Sequence, residues 1–190
     1  GGKSDLKGYL SWSLSNTDFG FPGDLNASAL LSDRRQSTDL NDRGEDKSSN
    51  GRAGLSYEIN DSRSFENRFG YLDREIDVTM PSASWIADTI YETYSYSPIL
   101  HYESNDASWM FGFDYFKDEV QTNTNFDDSV LERRTMAVLA STNQSLSELW
   151  NWNGNFRLET NKNSGVYGGT VLNEVKNEEW AGAMGLVREF

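Results

Sequence analysis

His101 is the only imidazole in the 190-residue chain and cysteine is absent, so any nucleophilic triad would have to run through that one histidine and thiolate chemistry is excluded. His101 falls in an alternating stretch, on the side that also carries Ser95 and Ser97, and reads as a structural histidine. Asp39, Asn41 and Gly44 echo the start of a calcium loop. Arg43 stands where an oxygen ligand is needed, and Asn50 where the bidentate carboxylate belongs, so the ligand count fails. The adjacent acids Asp127 and Asp128, or Glu178 and Glu179, would form an acid/base couple only if burial split their pKa values, and they sit in polar stretches. Asn26-Ala-Ser28 matches a glycosylation sequon without further support. Nothing here performs covalent chemistry, and no cofactor or metal is implied. The remaining candidates are binding groups: Phe19 and Phe21 as an aromatic grip on an exposed loop, with Arg34 and Arg35 nearby to meet an anionic ligand or a lipopolysaccharide phosphate.

The elements that would carry these residues are strands. From Trp150 to Glu159 the side chains alternate without a break: Trp150, Trp152, Gly154, Phe156 and Leu158 on one face, Asn151, Asn153, Asn155 and Arg157 on the other. Trp109, Phe111, Phe113 and Tyr115 repeat the pattern, as do Tyr94, Tyr96, Leu100 and Tyr102, with Pro98 interrupting. Weaker alternation covers Leu6 to Leu14, Ala53 to Ile59, Phe65 to Tyr71, Met136 to Ala140 and Trp180 to Phe190, about eight strands in all. Short turns are expected at Asn60-Asp61-Ser62, Ser104-Asn105-Asp106 and Ser145-Leu146-Ser147. Long polar links are expected over 16–50, 74–88, 118–130 and 161–177. In an antiparallel meander, connections that alternate in length place every long link at one end of the sheet.

Composition narrows the setting. A formal charge of −13 and no basic stripe exclude nucleic acid as a partner. Twenty-five aromatic side chains are too many for a disordered chain. No apolar run is long enough for a transmembrane helix, but a membrane strand needs only about 10 residues with one oily face. Strands with an aromatic-rich face, short turns at one rim and long loops at the other are the pattern of an all-β, antiparallel up-and-down transmembrane β-barrel. In that setting Trp109, Phe111, Phe113, Trp150, Trp152 and Phe156 face lipid, while Asn151, Asn153, Asn155 and Arg157 face the lumen.

The segment Asp18 to Ser37, DFGFPGDLNASALLSDRRQS, resembles an extracellular-loop region of TonB-dependent outer-membrane receptors. Phe111-Gly-Phe-Asp-Tyr-Phe116 is similar to a barrel strand of that family, and Arg134 to Ala140 followed by Trp152 to Glu159 to its next hairpin. The resemblance implies part of a barrel of roughly 22 strands, with Gly1 and Phe190 as cut points and the plug lying outside the chain. It also implies a bacterial outer-membrane location and import of a scarce nutrient, of the siderophore-iron or cobalamin class. The implied partners are membrane lipid, lipopolysaccharide, a metal chelate, and TonB acting through the plug. Two other readings stay open: a complete eight-stranded barrel with a structural or adhesive role, and a soluble ligand-binding barrel with its aromatic face turned inward.

Overall fold

The computed structural model describes residues 5–21, 31 and 41–188. Eight strands run in chain order: β1 (Leu6–Gly20), β2 (Arg43–Asn60), β3 (Arg63–Met80), β4 (Trp85–Glu103), β5 (Ala107–Thr124), β6 (Asp128–Ser147), β7 (Trp150–Tyr167) and β8 (Thr170–Arg188). Each pairs antiparallel with its sequence neighbour in one sheet ordered β1 to β8. Among the described residues the sheet is open, with β1 and β8 as edges. None of the described helices is long and apolar enough to cross a membrane, which has no bearing on crossing by strands.

The strands are longer than the sequence pattern suggests, and this overturns three of the four expected long links. β3 and β4 are joined only by the single turn Pro81–Ala83 and Ser84, not by 74–88. β5 and β6 are separated by residues 125–127, and β7 and β8 by Gly168 and Gly169. Only the link from β1 to β2 is long, and it spans 21–42 rather than 16–50. The cause is that alternation fades where both faces of a strand meet water, so the outer halves look like loops in sequence. Strands of 15–20 residues are about one and a half to two times as long as a bilayer requires.

At the opposite rim, Asn60 Oδ1 accepts from the Ser62 amide at 3.0 Å, and the Ser104 hydroxyl accepts from the Ala107 amide at 3.2 Å. The third short turn lies at Glu148 and Leu149, three residues past the expected Ser145-Leu146-Ser147, because a register shift between Ser145 and Ser147 keeps the ladder going. At the outer rim the turns are laced to one another. Asp42, buried, accepts from the backbone amide and the hydroxyl of Ser82, anchoring the Pro81 turn to the start of β2. Asn125 donates to the Ser84 carbonyl at 2.8 Å and accepts from the Ile86 amide at 3.2 Å. Gly168 and Gly169 both have positive φ, 53° and 74°, the signature of a two-residue hairpin turn that favours glycine.

Large side chains build no interior. The buried apolar residues among those described are Ala87 and Ala137 alone, and no large side chain is fully buried.

Candidate functional site

Residues directly opposite one another share a face, so the registers sort the sheet into two chemically distinct surfaces. On the first face, Trp12, Gly51, Tyr71 and Tyr94 form one rung across β1 to β4. Tyr71 lies 6.2 Å from Trp12 and 5.1 Å from Tyr94, ring centre to ring centre. Phe69 stacks on Tyr96 at 4.8 Å one rung nearer the short turns. The band continues through Phe111, Ala140, Phe156 and Gly182 on β5 to β8, with Phe113 on β5 and Val138, Leu158 and Trp180 in the next rung. These side chains stand out from the sheet: Trp12 is 59% exposed and Trp180 76%. The registers also resolve β6 and β8. Met136, Val138 and Ala140 belong to the band while Ala137 and Leu139 lie opposite; Gly182 belongs to the band while Ala183 and Gly185 do not. The ladder between β4 and β5 breaks at Ser97 and Pro98, as a residue without an amide proton requires.

The second face is hydrophilic and cross-linked. Arg157 donates to Asp114 Oδ2 at 3.0 Å, reaching over β6, and to Glu159 Oε2 at 2.7 Å. Glu159 Oε1 accepts from Asn161 at 2.7 Å, Asn161 accepts from the Thr135 hydroxyl at 2.6 Å, and Asp114 accepts from the Ser97 hydroxyl at 2.8 Å. This network lines a depression of about 590 Å³ with Phe116, Arg133 and Asn177. Ala137 sits beneath it, 1% exposed, where only a small residue leaves room for the arginine to cross. Arg133 pairs with Asp118 at 2.6 Å, and Arg74 with Asp46 at 2.9 Å.

Asn151, Asn153, Asn155 and Arg157 share this second face, and Trp109, Phe111, Phe113, Trp150, Trp152 and Phe156 share the first. His101 is on the second face opposite Ser64 and Met110, near the short turns. Phe19 is not a loop residue: it is in β1, on the second face opposite Gly44, and its ring meets Phe21 edge-on at 5.4 Å. Arg34 and Arg35 lie outside the described residues.

Above the aromatic band, towards the long link, the first face becomes ionic, which the chain order alone does not reveal. Lys117, Arg134, Lys162 and Lys176 fall directly opposite one another on β5 to β8. Hydrogen bonds from Gln121 and Lys117 hold Glu119 below the usual carboxylate range, and bonds from Arg134 and then Lys117 do the same for Glu132. On β3 and β4, carboxylate oxygens of Glu75, Asp77 and Asp88 lie within 4.8 Å of one another. Only register could have found either group.

A long-stranded open meander with an exposed aromatic band on one face and a bonded hydrophilic network on the other has the architecture of an outer-membrane β-barrel wall. The solved structures it is similar to are of that kind. The ferric citrate transporter FecA in its unliganded form superposes with a TM-score of 0.78 at 13% identity, covering 98% of this chain and 31% of that one. The ferric yersiniabactin uptake receptor FyuA from Yersinia pestis gives 0.61 at 12% identity, covering 96% and 32%. The siderophore receptor PiuA from Acinetobacter baumannii gives 0.61 at 14%, covering 94% and 36%. The chain thus spans about a third of the length of the receptors it matches. No protein-family model matches the sequence, and no curated protein matches it either.

Proposed function

We propose that this chain is part of the wall of a bacterial outer-membrane import barrel, of the TonB-dependent receptor kind. It passes a scarce nutrient such as a ferric siderophore or cobalamin along the second face. The first face looks at lipid, and Asn151, Asn153, Asn155 and Arg157 line the passage or bond to a plug lying outside the chain. TonB would act through that plug. The role is positional and electrostatic, with no covalent step.

One observation carries the reading: an eight-stranded sheet whose large apolar side chains have no interior to enter. In water such a surface would drive aggregation, whereas hydrocarbon covers it without cost. The same observation counts against a soluble barrel with a dry aromatic centre. Among the described residues the edges β1 and β8 have no neighbouring strand, and in lipid their backbone groups need pairing partners, which agrees with a place in the wall of a larger barrel.

The test is deletion of the whole gene in its host. Uptake of radiolabelled iron from a panel of ferric siderophores, and of labelled cobalamin, should fall for one substrate and return on complementation, with the protein in the outer-membrane fraction. A product that stays soluble and monomeric without detergent would overturn the reading.

A further inference from the structure

At the outer end of β3 and β4, on the first face, we infer a calcium site with Glu75, Asp77 and Asp88 as its carboxylate ligands. The site goes beyond the import reading and does not depend on it. It concerns what holds the outer end of this hairpin together.

Asp77 lies directly opposite Asp88, and Glu75 is the next residue on the same face of β3. Like charges directly opposite on neighbouring strands repel, yet carboxylate oxygens of all three converge to within 4.8 Å of one another. The flanking strands add oxygen at the same height, with Glu45 of β2 opposite Asp77 and Asn123 of β5 opposite Asp88. Lys47 stands opposite Glu75, but its ammonium is 3.0 Å from Glu45 and only 3.9 Å from Asp77, so one cation faces four carboxylates. A second observation, separate from the clustering, points to a ligand. Asp88 Oδ1 is buried and has no hydrogen-bond partner, the only carboxylate oxygen so placed among the described residues. A charged oxygen cut off from both water and donors is costly. A bare cation, smaller than a water molecule, satisfies it from between the three side chains.

The spacing selects the ion. Oxygens on opposite sides of Ca²⁺, each at about 2.4 Å, stand about 4.8 Å apart, whereas Mg²⁺ at about 2.1 Å holds them within about 4.2 Å and in near-ideal octahedral geometry. Calcium also completes its shell of about six to eight oxygens with water and carbonyl groups, and the Asp77 side chain, 43% exposed, leaves water and ion a way in. Six residues of strand separate Asp77 from Tyr71 in the aromatic band, about 20 Å. On the membrane reading the ion is therefore drawn from the outside medium.

The test uses the whole protein that contains this segment, folded in detergent, stripped with EGTA and titrated with CaCl₂ while hydrogen exchange is read by mass spectrometry. Taking a dissociation constant of about 0.5 mM, in the range of extracellular calcium modules, about 5 mM CaCl₂ should slow exchange at the Pro81 turn and the outer ends of β3 and β4 roughly tenfold. The short turns at Ser104 and Glu148 should not respond. Asp77→Asn with Asp88→Asn should abolish the response. In EGTA the same variant should exchange at the Pro81 turn no faster than wild type, because the opposed charges are gone, a result that loss of structure cannot imitate. Glu75→Gln alone, which covers the case where the double variant fails to fold, should raise the calcium midpoint about tenfold. No slowing in the wild type, a full response in a folded double variant, an unchanged midpoint for Glu75→Gln, or equal slowing by MgCl₂ at the same concentration would each overturn the inference. None of these results bears on which face meets lipid, so the import reading is tested separately.

Discussion

Phe156 and Asn155 are chain neighbours on opposite faces of β7, so replacing each by arginine asks which face meets hydrocarbon. Phe156 is 47% exposed in the middle of the aromatic band, opposite Ala140 and Gly182. A cation at mid-bilayer costs about 2–4 kcal/mol on the lipid side of a barrel, and losing the ring's contact with lipid adds roughly 1.5–3 kcal/mol, so Phe156→Arg should destabilise by about 3.5–7 kcal/mol. Asn155 stands opposite Ser141 and Ala183 on the hydrophilic face, and Asn155→Arg should cost less than about 1 kcal/mol, as surface changes do. The assay is reversible guanidinium unfolding of the whole protein in lipid vesicles, followed by tryptophan fluorescence, with retarded gel mobility before boiling as the check on barrel formation. Equal losses for the two variants, or a larger loss for Asn155→Arg, would refute the assignment of faces and with it the transport reading.

Three further outcomes follow from local packing. Gly54→Val should destabilise by about 1–3 kcal/mol, because the Tyr9 ring lies where a Cβ would be; pairing it with Tyr9→Ala in a double-mutant cycle should recover part of that loss. Gly168→Val should cost about 1–2 kcal/mol through its positive φ, while Gly168→Asn should be nearly neutral, both read by the same unfolding assay. Asp42→Ala strips the acceptor from the Ser82 amide and hydroxyl and should cost about 1–3 kcal/mol, with faster hydrogen exchange at the Pro81 turn than at the other outer turns.

Which parts of this architecture show in the amino-acid order depends on whether two faces of a strand differ. Trp150 to Leu158 alternates between large apolar and polar side chains, so β7 and its facing pattern were readable directly. Glu119 to Thr124 carries a single large apolar residue, Val120, so its two faces barely differ, while Glu75 to Thr79 does alternate, with Ile76 and Val78 against Glu75 and Asp77, and was passed over because that stretch is short and rich in charge; both outer halves resembled loops although their backbone pairs to the end. Gly168 and Gly169 were a usable sign: a Gly-Gly pair is a hairpin turn, and it contradicted a long link over 161–177. Pairing is the part no single strand encodes. Arg157 reaching Asp114 across Ala137, and the cation rung on β5 to β8, arise only once registers are set, so neither could be read from spacing along the chain.

The continuation of the ladder past the aromatic band also decides what a visitor from outside touches first. Amides bonded strand to strand cannot fold away, so the outer halves of β3 to β8 stand as a stiff wall rather than a fringe of swaying tentacles. If the import reading proposed above holds, admission there would be governed by the size and charge of what fits between standing walls, and adaptation to a new cargo would fall on side chains rather than on loop length.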